Sequence, residues 1–126
     1  MIVAVDFDNT IMNPMDKPEG KSMGNPMPGA KEALKDMRKH GHKIIIHTVR
    51  GGNPQHVRDW LKYYGIPFDD VTNIKPNDVA FFIDDHGLRF NGDWNITLKT
   101  MYELHGKYLE DKQFRSMFEG KQAFKG

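Results

Sequence analysis

Residues 2–6, IVAVD, form an unbroken apolar run closed by an acid. A short run without alternation suits a strand buried on both faces, as in a parallel sheet. The same pattern returns in KIIIHT at 43–48 and VAFFID at 79–84, with a weaker strand signal at 68–74. Helix signals lie between the runs. Pro28 stands near the first turn of one stripe, Ala30, Ala33, Leu34 and Met37 follow at helical spacing, and Gly41 ends it. Asn53 is placed to cap a second helix that Pro54 opens, with Val57, Trp60, Leu61 and Tyr64 on one face and Gly65 as the stop. A third face, Leu98, Met101, Tyr102, His105, Tyr108 and Leu109, runs over about 96–109. Strands alternating with amphipathic helices predict an α/β fold with a mainly parallel sheet. Right-handed crossovers then bring the C-terminal ends of the strands to one edge, where such sheets bind ligands.

The residues at that edge are Asp6, Thr48, and the pair Asp84 and Asp85, with Asp8 two residues beyond Asp6. As many as four carboxylates converging on one point repel strongly. A hard divalent cation relieves that repulsion, and magnesium suits an all-oxygen site that keeps several waters. A single aspartate in such a place is more often a turn or cap residue; four at the ends of two buried strands argue for a site.

Composition narrows the function classes. A chain of 126 residues has room for one core. The absence of cysteine excludes disulfides, thiolate nucleophiles and zinc–cysteine sites. Lys and Arg number 18 against 17 Asp and Glu, which argues against nucleic-acid binding by bulk charge. The apolar run before Asp6 is too short for a signal-peptide core, and no run has transmembrane length, so a soluble, cytoplasmic domain is expected, with no membrane partner. The six histidines show no metal-ligand spacing. Residues 9–28, rich in Pro, Gly, Asn and Met, read as a long loop whose methionines (Met12, Met15, Met23 and Met27) serve loop packing rather than a soft lid.

VAVDFDNT resembles the DxDxT signature of the haloacid dehalogenase superfamily, and IIIHT, NIKP and FFIDD resemble its remaining motifs, in the right order and at compatible spacing. The resemblance covers about residues 2–105. It implies a three-layer Rossmann-like core over 1–110, with 9–28 as a flap and 111–126 as a tail that forms a short helix or a partly ordered end. It also implies a magnesium-dependent phosphomonoesterase. Asp6 is then the nucleophile that forms an aspartyl-phosphate, Asp8 the general acid and base, and Thr48 and Lys75 the groups that hold phosphoryl charge. Asn9, Thr48, Val49, Arg50 and Lys75 are expected around the substrate phosphate. Mg2+ is expected on Asp6, the Asp8 backbone carbonyl and the acidic pair, with Asp84 favoured over Asp85 as the direct ligand. Asn9 stands where relatives often carry Gly, and His86 where small relatives often carry Arg. Arg50 reads equally as a second anion contact or as a surface charge. Neither place where the superfamily inserts a cap has room for one, so an open site is expected. An open site suits a nucleotide or a polynucleotide end; the alternatives are a small sugar phosphate roofed by a second subunit, or a catalytically idle binding module. The oligomeric state is left open.

Overall fold

A computed structural model of the chain describes residues 1–50 and 54–109. The elements run β1 (Ile2–Asp6), β2 (Met12–Asn13), β3 (Asn25–Pro26), α1 (Ala30–Lys39), β4 (Lys43–His47), α2 (Gln55–Tyr63), β5 (Asp70–Thr72), β6 (Phe81–Ile83) and α3 (Trp94–Leu109). They fall into two compact units, Met1–His86 and Gly87 onward.

The first unit is built on a four-stranded sheet in the order β5-β4-β1-β6, in which every pair is parallel. The fold is α/β and Rossmann-like, as the alternation predicts. β1 is central. Val3, Ala4 and Val5 are all buried, which accounts for its lack of alternation. Register aligns Val3 with Ile44 and Val5 with Ile46, and Ile46 with Val71, so these residues share one face. Leu34 of α1 and Val57, Trp60 and Leu61 of α2 join the same buried cluster. Both helices therefore cover that face, as expected when two successive crossovers step in one direction across the sheet.

Both helix stops read from the sequence are present. In α2 the Gly65 N–H donates to the Lys62 carbonyl and the Ile66 N–H to that of Leu61, with Gly65 at φ 67°. This is a Schellman closure, and it needs a residue at ease with positive φ. α1 ends the same way around Gly41. Gly29 precedes α1 and offers no side-chain cap. Asn53, the expected cap of α2, lies outside the described residues, as do Gly51 and Gly52.

Within 9–28 the structure adds an element that aperiodic sequence does not announce. Met12 pairs with Pro26 and Asn13 with Asn25, antiparallel. The loop is a small flap and no folded cap. The stretch between β5 and β6 is shorter still. Met12 is fully buried and Met23 packs on the core, while Met15 is 90% exposed.

In the second unit α3 begins two residues ahead of the expected start. Asp93 explains this: its carboxylate accepts the N–H groups of Asn95 and Ile96, which makes it the N-cap. The tail read at 111–126 lies outside the described residues. Among the described residues, no helix is long and apolar enough to cross a membrane.

Candidate active site

Because β1, β4 and β6 are parallel, their C-terminal ends share an edge. Asp6 is the last residue of β1 and pairs in register with His47, the last of β4. Thr48 follows directly. Asp84 and Asp85 follow Ile83, the last residue of β6, which pairs with Val5. Parallel pairing thus gathers residues far apart in sequence at one place.

Asp6 is half-buried at this edge. The Thr10 hydroxyl donates to its Oδ2 at 3.4 Å. Burial is the main cause that lifts its pKa above the ordinary carboxylate value. A hydrogen bond shared with the Asp85 carboxyl and the negative charges of Asp85 and Asp84 act in the same direction, while the Phe7 N–H opposes them. Two carboxyls sharing a hydrogen bond hold a proton more firmly than one alone.

The turn after β1 is wound about one acceptor. The Phe7 carbonyl accepts the N–H groups of Thr10, Ile11 and Met12. Asn9 occupies this turn with φ 63°, a left-handed conformation that Asn tolerates better than most side chains. Its N–H donates to the Met12 carbonyl at 2.8 Å, so the Asn9 backbone amide is already engaged.

Asp8 lies in a different environment. Arg50 grips its carboxylate, Nη2 at 2.8 Å and Nε at 3.1 Å from both oxygens. The guanidinium also stands 5.9 Å from the centroid of the Phe7 ring. Thr48 is 2% exposed. Its N–H donates to Thr72 and its hydroxyl oxygen accepts the Arg50 N–H at 3.1 Å, which leaves the hydroxyl proton to donate elsewhere. The Val49 side chain is largely exposed.

The Asp85 carboxyl shares a hydrogen bond with Asp6, and the Asp84 carboxylate accepts the His86 N–H at 2.6 Å, a short-range bond typical of aspartate in a turn. Lys75 lies with its ammonium 4.9 Å from the centroid of the Phe82 ring on edge strand β6. His86 Nε2 stands 3.3 Å from Asp85 Oδ2.

Among the described residues, no group of three or more His, Asp or Glu is arranged to hold a metal. Magnesium does not require one. It is commonly bound by one or two carboxylates, with waters and substrate phosphate completing the shell. The Asp6–Asp85 pair, backed by the charge of Asp84, is a donor set of that chemistry.

A feature that the helix stripe concealed is the seat of the site. The Phe7 ring, between Asp6 and Asp8, meets the Trp60 ring edge-on at 5.1 Å. Trp60 Nε1 donates to the Gly24 carbonyl at 3.0 Å, tying α2 to the flap. In the sequence Trp60 is one apolar position among several, with nothing to mark its partners.

No family model matches the chain. A folate synthesis bifunctional protein of Arabidopsis thaliana is 26% identical over 103 residues, taking in 74% of this chain and 21% of that protein. The chain thus spans about a fifth of that relative's length. The solved structure of a conserved protein coded by a locus of Bacteroides thetaiotaomicron aligns with a TM-score of 0.55 at 26% identity, over 82% of this chain and 90% of that one. The α/β architecture is what the chain and this neighbour share.

Proposed function

We propose that the chain is a magnesium-dependent phosphomonoester hydrolase of the haloacid dehalogenase type, working through an aspartyl-phosphate on Asp6. One observation carries the reading: Asp6, at the end of the central strand, shares one sheet edge with Thr48 and the Asp84–Asp85 pair, and Asp8 lies two residues beyond it. Asp6 is half-buried and shares a hydrogen bond with Asp85, and Asp8 is held by Arg50. Acids of this kind at one sheet edge can divide nucleophilic and acid–base duties on one phosphoryl group.

In the first displacement an Asp6 carboxylate oxygen attacks phosphorus and the bond to the leaving oxygen breaks. Asp8 supplies the proton to that oxygen. In the second, water attacks the aspartyl-phosphate, Asp8 takes its proton, and the bond from phosphorus to Asp6 breaks. The Thr48 hydroxyl donates to a phosphoryl oxygen. Arg50 can present its remaining N–H edge to the incoming anion; as it moves onto the phosphate it loosens its hold on Asp8, which then becomes free to carry a proton. Asp6, the Asp8 backbone carbonyl and the acidic pair would hold Mg2+, which would supply positive charge to keep Asp6 ionised and to offset the phosphoryl oxygens. The lack of cysteine is compatible with the cytoplasm as the setting.

Phosphate release from an aryl phosphate tests this, with magnesium or with chelator, in the wild type and in Asp6→Asn. We expect release with magnesium only, and none from the variant. Turnover that survives Asp6→Asn overturns the assignment. A wild type inert across nucleotides, phosphorylated oligonucleotides, sugar phosphates and phosphopeptides makes the chain a binding module on the same fold.

A further inference from the structure

The four-stranded sheet has two edges, β5 and β6, and they are finished differently. On β5 the Thr72 carbonyl accepts the Thr48 N–H and so points inward. Backbone groups alternate along a strand, so Val71 turns its N–H and C=O outward. Side chains take both. The Asp70 carboxylate accepts the Val71 N–H at 2.8 Å, and Arg58 Nη2 donates to the Val71 carbonyl at 3.4 Å. The same nitrogen holds Asp70 at 2.7 Å. Charge and hydrogen bonds close this edge against pairing.

β6 has no such closure. The Ala80 N–H donates to the Ile2 carbonyl at 2.8 Å, so Phe82 also faces β1, and the N–H and C=O groups of Phe81 and Ile83 point outward. Among the described residues those groups have no hydrogen-bond partner. From Val79 to Ile83 there is no Pro and no charge, the usual guards of an edge strand. The side chains are open on both faces: Phe81 is 47% exposed, Phe82 46% and Ile83 38%. Phe81 and Ile83 share the face of Val3 and Val5 and line a groove of about 430 Å3 with Met1, Met37 and His42. We propose that the β6 edge is a dimerisation surface and that its occupant is β6 of a second copy of this chain, paired antiparallel so that the two sheets join into one.

A two-fold axis at a strand edge produces antiparallel pairing. With the axis at Phe82, Phe81 lies opposite Ile83 of the second copy, and Ile83 opposite its Phe81. The residues with outward groups then meet as hydrogen-bonded pairs, each exchanging two bonds. Phe82 meets Phe82 of the second copy at the position where side chains stand closest, and an aromatic pair there adds to the ladder. Asp84 falls opposite Ala80, so this register sets no acid against another. Area sets the strength. A fully buried Phe covers about 150–250 Å2, so Phe81 and Phe82, each about half exposed, offer roughly 100 Å2 apiece. Ile83, Met1 and the paired backbone add to this, against about 800 Å2 per partner in a standard interface. An interface at the small end predicts a reversible dimer of micromolar strength and not an obligate one. The inference does not depend on the phosphatase reading.

The test uses the full chain. Light scattering and sedimentation follow the mass of the wild type, Phe81→Lys and Phe81→Pro from low-micromolar to submillimolar concentration. The wild-type mass should rise towards twice that of one chain, and both variants should stay monomeric. Lys brings a charge to the edge; Pro removes an outward N–H and no bond to β1. Far-UV circular dichroism checks that the variants fold. Amide exchange followed by NMR needs no variant. On concentrating the wild type, the Phe81 and Ile83 amides should slow several-fold, while those of Ala80 and Phe82, already bonded to β1, keep their rates. A wild type that stays monomeric overturns the inference, as does a folded Phe81→Lys that dimerises like the wild type. A dimer whose Phe81 and Ile83 amides keep their rates places the contact elsewhere and overturns it too. So do slow Phe81 and Ile83 amides in the dilute monomer, where the chain itself closes the edge.

Discussion

Asp6 and Asp8 are chemically the same residue, and what separates them is their neighbours. Asp6 is raised by burial first and by the Asp85 carboxyl second, so the native state holds a proton that the unfolded chain has already released. Stability therefore falls as pH rises from the ordinary carboxylate pKa, about 4, towards the raised native value, and the whole penalty is present above it. Asp6→Asn removes that penalty. In chelator the variant should melt above the wild type at pH 7, and the gap should close at about pH 3, where both states of the wild type are protonated. Thermal scans at the two pH values check this, and a gap of equal size at both counts against the burial argument. Asp8→Asn is expected to slow an alkyl phosphate far more than an activated aryl phosphate, because an alkoxide needs a proton as it leaves; such help is worth about 10²–10⁴-fold. Equal slowing of the two esters leaves Asp8 a positioning role only. Arg50→Ala should act chiefly on KM, raising it about tenfold or more, as expected for a charged hydrogen bond to the substrate phosphate. A fall in kcat alone, with KM steady, makes Arg50 a partner of Asp8 and not a ligand of the phosphate.

At the scale of elements, what was legible in the sequence is whatever is decided locally. The apolar runs place the strands, and burial on both faces explains the run in central β1; edge strand β6 departs from that expectation, with Phe81, Phe82 and Ile83 all exposed. Gly41 and Gly65 mark the helix ends because the closing turn needs positive φ there. The pairing of Met12 with Pro26 was not legible, since it depends on how the flap folds back on the core and not on any period within it. Gly24 shows how strict that folding is. A Cβ at this position would lie 1.6 Å from the Asn13 carbonyl oxygen, a backbone atom with little freedom to yield. Gly24→Ala should cost about 2–3 kcal/mol, the usual range of overpacking, and lower Tm by about 10 °C or more in a unit of this size. Differential scanning calorimetry measures it. Trp60→Phe is a milder probe of the same seam: it keeps a ring in the core but leaves the Gly24 carbonyl without its donor, at a cost of about 1–3 kcal/mol. If Gly24→Ala melts with the wild type, the flap is not seated against β2 as described.

Across the whole molecule, parallel topology turns a linear order of motifs into a site. The residues that end β1, β4 and β6 could be named from the sequence, because strand order and direction alone bring them to one edge. Which side chains then join hands could not. Asp8 with Arg50, Asp85 with Asp6, and Lys75 over Phe82 are each settled by loop geometry beyond a strand end. The same topology fixes what the first unit lacks. Between β1 and α1 there is only the β2–β3 flap, and between β5 and β6 a short connection, so within this unit no cap domain encloses the phosphate. A small ester bound at Asp6 leaves much of its surface in water, and few contacts are available to hold it. Its KM should therefore lie at about 1 mM or above, the upper end of the usual enzyme range. An ester that continues past the phosphate, along the flap and α2, gains contacts and should bind more tightly. Initial rates for ribose 5-phosphate and for a 5′-phosphorylated oligonucleotide compare the two, with the solution mass taken by light scattering on the same sample. A monomer with a micromolar KM for the sugar phosphate contradicts the open site. A stable oligomer with that KM locates the missing roof in a second copy of the chain.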